Sequence, residues 1–378
     1  MARNKIKFVI VGGGLGTPLA TDDHITLLIG SHTAAPAAFG TNLMKSFRSI
    51  GQVEAAGITS DAANYKLDHF TASEYFRVHS EGELYIGYKD GDFTAAEINT
   101  GAAGKIKFIG QIGEVADKTK LNTLAANLKA LNAPVYGCLL GLQTVADIDA
   151  VTDLGTENFP YVSVLIAGDG GEVATALATA LTITYIPAVG SVLGVRSLAS
   201  VHESVMWREK FNVSDGENME TTILADGSVS GSDAVLLDAL YDKRYLFFEK
   251  EAGLSGTYLN DSHTAIAATS DFAYIERNAV IGKSLRLVDA ALVADKGRPL
   301  YVESDGTLSP STIAYFKGKV SSALGTMQGD GEISDYEVTI DDPQNVLSTS
   351  NLEISLKILP VGAARNIEVT MSFATKLG

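Results

Sequence analysis

At 378 residues, the chain is too long for one small core, and two or three domains are the natural expectation. Hydrophobic residues make up 46% and charged residues 20%, a globular balance that does not point to disorder. The net charge of −16 argues against a general nucleic-acid binder, which needs a basic face to displace counterions, and against docking on an anionic membrane.

The first predicted element is a terminal strand. Ile6, Phe8 and Ile10 alternate with Lys5, Lys7 and Val9, and Gly12, Gly13 and Gly14 follow as a hinge, since glycine adds backbone freedom at no steric cost. The apolar run breaks at Gly12, too short for an export signal or a membrane span. Residues 22–70 read as mixed strand and helix. Residues 75–79 and 84–88 read as two strands of a hairpin around Glu81-Gly82-Glu83.

From 105 the pattern alternates between strand and helix. Strands are predicted over 106–109, 135–140 and 161–167, with helices over 119–131, 145–154 and 172–181. Such alternation implies right-handed crossovers and a largely parallel sheet with helices on its faces. Cys138, the only cysteine, falls inside a strand as a buried inert thiol. It leaves no intrachain disulfide or thiolate metal cluster and fits a reducing cytoplasm.

Residues 189–207 predict a packed helix, and the acidic stretch 212–233 a domain boundary. Further on, 246–249 and 301–302 read as strands, 271–292 as a long helix, and 311–327 as a helix entered through Pro310. A strand over 337–340 precedes the last pattern. Leu352, Ile354, Leu356 and Ile358 alternate with polar residues, and after a turn at 360–362 so do Ile367, Val369, Met371 and Phe373. Period-two alternation marks half-buried strands. A lone two-stranded hairpin is marginal in water. The terminal strands therefore either complete this chain's own sheet or add to that of a neighbour.

No chemistry-bearing constellation emerges. The glycine run has Thr17 where a dinucleotide fingerprint needs a third glycine, and Asp22 and Asp23 come too early for its acidic partner. His202-Glu203 opens like a zinc-protease helix, but Met206 stands where the second histidine belongs. Asp261, Ser262 and His263 are adjacent, whereas triads converge from separated positions. No catalytic, cofactor-binding or metal-ligating residue is assigned, and an enzyme is not expected.

Charge is segregated instead. Arg3, Lys5 and Lys7 lie in an acid-free start, and Lys317 and Lys319 in an acid-free helix. Residues 328–342 carry six acids and no base. This suggests complementarity between copies or partners, or else a solvated face. The competing reading is a ligand-binding α/β protein with a crevice at strand ends near Gly141, Ala167 and Gly168, where Asp169 is the lone polar candidate.

Several stretches resemble the sheath proteins of contractile tails, in phages and related injection machines. They are Val192-Leu193-Gly194 leading to Val201-His202-Glu203-Ser204-Val205, the segment from Gly253 to Asp261, and Asp271-Phe272-Ala273-Tyr274-Ile275-Glu276-Arg277. Gly331-Glu332-Ile333-Ser334, Asn345 and the amphipathic end complete them, with Gly13-Gly14-Leu15-Gly16 and Asp23 at the start. The resemblance implies a mixed α/β, multidomain fold. Residues 1–16 would be an N-terminal arm, 17–74 with 236–350 an inner tube-facing domain, 75–235 an inserted outer α/β domain, and 351–378 a C-terminal strand hairpin. It implies a subunit that polymerises helically in stacked rings around an inner tail tube protein and contracts to drive the tube through an envelope. Baseplate and terminator proteins would be its other partners. Assembly would take place in the bacterial cytoplasm, into a virion tail or injection particle. The inter-subunit strands would be those of Lys5, Ile6, Phe8 and Ile10, of Leu352 to Ile358, and of Ile367 to Phe373. Lys317 and Lys319 would face the tube. A tube or baseplate protein is the alternative within the same particle.

Overall fold

The computed structural model describes residues 22–131, 133–344, 346–369, 371 and 373. In chain order come β1 (Thr26–Ile29), β2 (Met44–Phe47), α1 (Ile50–Ala55), α2 (Lys66–Val78), β3 (Leu84–Gly87) and α3 (Ala95–Ala102). A capping box starts α3: the Thr94 hydroxyl accepts from the Glu97 amide, and the Glu97 carboxylate accepts from that of Thr94. Then follow β4 (Phe108–Gly113), α4 (Asp117–Ala130), β5 (Gly137–Leu142), β6 (Asn158–Phe159) and β7 (Val162–Leu165).

Six strands form one sheet in the order β2-β3-β1-β4-β5-β7. All neighbours run parallel except β2, which lies antiparallel at the edge against β3. Every residue of β5 is buried, as expected for a central strand covered on both faces. Cys138 points to α4, its thiol 3.7 Å from the Leu121 carbonyl oxygen. Burial pushes that thiol well above its ordinary range. The other face carries Gly110, where a methyl group would meet Leu193 at 2.7 Å. The missing side chain lets a second helix settle on the sheet.

That helix is α6 (Val189–Leu198), reached through β8 (Ala167–Asp169) and α5 (Glu172–Leu181). It packs along α2 as well as against β4 and β5. Short pieces follow: β9 (Thr222–Leu224), α7 (Ala234–Asp242), β10 (Phe248–Glu249), β11 (Tyr258–Leu259) and β12 (Ala265–Ile266), paired as β8-β9, β10-β11 and β12-β6. The chain then forms the long helices α8 (Ile275–Leu292) and α9 (Pro310–Gly329), packed on each other, and the antiparallel pair β13 (Ile333–Thr339) and β14 (Ser355–Pro360). Pro310 occupies the first turn of α9, and the Ser309 side chain accepts from the Thr312 amide, the entry predicted from sequence. No described helix is long and apolar enough to cross a membrane.

The mixed α/β fold and the parallel sheet match expectation, while two elements and one boundary in the first half of the chain differ. Residues 75–78 end α2 rather than starting a strand, because Leu67, Phe70, Thr71 and Glu74 continue a buried helical face into Tyr75. The stretch 145–153 is irregular instead of helical. There the carboxylates of Asp147 and Asp153 accept from the amides two residues on, local bonds that compete with helix formation. The boundary expected between 74 and 75 falls inside the sheet unit: β1 and β2, given to the inner domain, are hydrogen-bonded to β3.

Candidate assembly surface

The C-terminal strand pairs inside this chain. Leu356 stands opposite Val338 and Ile358 opposite Tyr336 in the β13-β14 register, and Lys357 reaches Glu337 at 2.9 Å. The apolar row of β14 is half-buried over α8, where Leu356 and Ile358 share a groove of about 600 Å³ with Val280, Ile281, Ser284 and Leu285. Among the described residues the second edge of β14 has no strand partner.

The expected hairpin between 352–358 and 367–373 is therefore corrected. Residues 361–369 form no strand; β13 supplies the partner, and Arg365 draws the chain aside. Beyond it, Ile367, Val369, Met371 and Phe373 are 81%, 71%, 88% and 110% exposed. Single exposed apolar residues are ordinary, whereas these four alternate with a period of two and are left uncovered by the other described residues. Lys5, Ile6, Phe8, Ile10, Gly12, Gly13 and Gly14 lie outside the described residues, as does Asn345.

Arg365 anchors the segment. Its Nε donates to Asp261 Oδ1 at 3.0 Å, its Nη2 donates to Ser262 Oγ at 3.1 Å and contacts Glu276, and the guanidinium lies 3.6 Å from the centre of the Tyr274 ring. His263 Nε2 is 3.0 Å from the other Asp261 oxygen, which also accepts from the Tyr241 hydroxyl at 3.1 Å. Burial works to raise the Asp261 carboxyl, but the bond from His263, its charge and that of Arg365 outweigh it and hold the group below the usual range.

Asp261, Ser262 and His263 thus meet as part of an ionic clasp, none more than 3% exposed. Ser262 Oγ bonds to Asp261, Ser204 and Arg365, an arrangement for holding a cation and not for activating a nucleophile. Sequence reasoning missed Arg365, and it quoted Glu276 in the stretch 271–277 without giving it a partner. The signal for Arg365 was an arginine in an otherwise weakly charged terminal segment.

Lys317 and Lys319 differ from each other. Lys317 is exposed. Lys319 bonds to Asp295 at 2.6 Å beside the Tyr315 ring, and those contacts raise its pKa. The acid-free helix is thus partly neutralised by a residue that sequence places outside it. In the acidic run, Glu332 is 8% exposed and paired with Lys283 at 2.6 Å.

The crevice of the competing reading is also elsewhere. Strand order reverses between β1 and β4, and the space at their ends, about 300 Å³, is lined by Ser31, Lys89, Gln111, Asp117 and Lys120. Lys120 pairs there with Asp117 and Asp92 at 3.1 and 3.3 Å. The Asp117 carboxylate caps the turn at the start of α4 by accepting from the Glu114 amide, the position an anionic ligand would need. Asp169 accepts from the amides of Gly171 and Met219 and so braces a loop. Among the described residues no acidic, histidine or cysteine group has the spacing of a metal site.

The family described as DUF2586, C-terminal domain, matches residues 271–378. No curated protein matches the chain. A chain of the anti-feeding prophage (AFP) baseplate, 6-fold symmetrised, is similar over 99% of this chain and 100% of its own, at 15% identity and a TM-score of 0.63. A chain of the same baseplate in its contracted state is similar at 13% identity and a TM-score of 0.59, over 98% and 97%. The sheath tail protein Lin1278 from Listeria innocua is similar at 8% identity and a TM-score of 0.52, over 89% and 94%. At these identities the likeness shows the fold: a multidomain α/β architecture shared along nearly the whole chain.

Proposed function

We propose that the chain is a structural subunit of a contractile tail or injection particle, of the sheath type, that polymerises around an inner tube. The observation that carries this is the full-length likeness of fold to both a sheath tail protein and contractile baseplate chains. A shared domain alone would leave the rest of the chain free for another task. The exposed row from Ile367 to Phe373 supports it further, because such a segment can add as a strand to the sheet of a neighbouring copy and satisfy its open edge groups. The free edge of β14 over its apolar groove is a suitable acceptor, and residues 4–11 are proposed as a second arm. Contacts of this head-to-tail kind build a helix when the rotation does not close. Strand pairing would be retained while whole subunits rotate between the extended and contracted states.

The unit of α8, α9, β13 and β14 is placed toward the tube, with Lys317 facing it, and the six-stranded sheet unit outward. An assembled particle with that sheet against the axis would reverse the assignment. A second reading, a ring component of the baseplate, is favoured by the higher TM-scores of the two baseplate chains. Electron microscopy of the purified chain separates the two: hollow sleeves of variable length support a sheath, whereas closed rings of fixed size support the baseplate. Monomers at high concentration would count against both.

A further inference from the structure

One helix holds both ends of the described chain. At its first turn, α8 presents Glu276, which with Asp261 grips Arg365 just before the exposed C-terminal row. Seven residues on, Lys283 lies 3.3 Å from Asp23, and Arg286 pairs with the same carboxylate. Asp23 is the second described residue, next to the N-terminal end of the described chain. Seven residues are nearly two helical turns, so Glu276 and Lys283 share a face and stand about 10 Å apart along the axis. Asp23, Glu276 and Lys283 are 3%, 4% and 8% exposed. Lys283 also pairs with Glu332, at the entry to β13, so the strand that carries β14 is tied to the same point.

We infer that α8 is a common anchor for the two terminal arms, holding the C-terminal root through Arg365 and the N-terminal root through Asp23 by buried ion pairs of opposite polarity. The inference rests on the reading of the arms as links between subunits. The two polarities matter: the acid on α8 serves the basic root and the bases on α8 serve the acidic root, so neither root can occupy the other's place. Pull on either arm then reaches one rigid element. Arg365 and Asp23 act as positioning residues that fix where each arm leaves the body.

Trp207, the only tryptophan, lines a groove with Val361, Gly362, Ala363 and Ala364 and reports on the C-terminal root directly. Arg365→Met in the full chain should raise acrylamide quenching of Trp207 by half or more. Arg365→Lys, which keeps the charge but loses the forked contacts and the stacking on Tyr274, should fall between wild type and Arg365→Met. Arg365→Met and Asp23→Asn should each shorten assembled sleeves several-fold, and deletion of 366–378, which keeps Arg365, should abolish them. Unchanged quenching in Arg365→Met would overturn the anchor, and so would increased quenching with sleeves of normal length. Normal sleeves from the deletion would overturn the arm reading itself, whatever the quenching shows. Should Arg365→Met not fold, Glu276→Gln removes one side of the same grip and is read by the same measurements.

Discussion

Gly190 lies so close to Thr71 that a methyl group on its Cα would stand 2.0 Å from the Thr71 carbonyl oxygen. Four residues on, a Cβ at Gly194 would meet Val78 at 2.7 Å. Two glycines at this spacing share one face of α6, and that face rests on the backbone of α2. Gly190→Ala should therefore push the helices apart and destabilise the chain by about 1–3 kcal/mol, as overpacking does. In α9, a Cβ at Gly318 would meet nothing within 4 Å. Gly318→Ala should instead stabilise by about 0.5–1 kcal/mol through helix propensity. Urea denaturation of the two variants should show opposite signs.

Asp68 on α2 is 2% exposed and accepts from the Ser31 amide at 2.8 Å. Burial dominates and pushes its carboxyl up from 3.8 to about 6, with the Ser31 bond opposing. The folded state thus holds this proton more tightly than the unfolded chain. Its contribution to stability is largest below the unfolded value, falls as pH rises from about 4 to 6, and becomes a fixed penalty above. Raising a carboxyl that far disfavours its charged form by about 3 kcal/mol. Asp68→Asn keeps an acceptor for Ser31 and should stabilise the chain at pH 7 by up to that amount. The slope between pH 4 and 6 should also flatten. Equal pH profiles of the two proteins would show that Asp68 does not set this slope.

Ile367 and Val369 are exposed in the isolated chain, so Ile367→Asp with Val369→Asp should leave its melting temperature within about 2 °C of wild type, as surface changes do. Assembly should respond differently, because on the proposed docking of this row against an apolar groove the added charge stays unpaired. Sedimentation should show the double variant confined to small species under conditions where the unchanged chain forms particles. Particles of normal length would mean that this row is ordinary surface.

Lys317 makes no salt bridge among the described residues, whereas Lys319 is committed to Asp295. Changing both lysines together would therefore mix a surface effect with a broken internal contact. Lys317→Glu alone should leave the thermal melt unchanged and lower the yield of sheath assembled on tube. Lys319→Met should act on the turn at Asp295 and leave co-assembly near normal. Equal yields from Lys317→Glu and the unchanged protein would remove the tube-facing assignment.

Local pattern and long-range pairing parted ways in this chain. The helix over 172–181 and the buried strand around Cys138 were legible because apolar spacing along a few turns or residues is written in consecutive positions. The parallel sheet was legible for the same reason, as a rhythm of strand and helix. Misreadings occurred where two patterns overlap: Tyr75 and Phe76 suit a strand until the buried face of α2 continues into them. Sequence alone also determined that the last apolar rows alternate, but not what they pair with. Alternation defines which face is dry and leaves the partner open, so only the tertiary structure decided that β14 joins β13 while Ile367, Val369, Met371 and Phe373 stay exposed among the described residues. Arg365 meets Asp261 across 104 positions, and Asp23 meets Lys283 across a still longer interval. Such pairs form because folding brings the groups together in a site where an unpaired charge is costly, and no local spacing announces them.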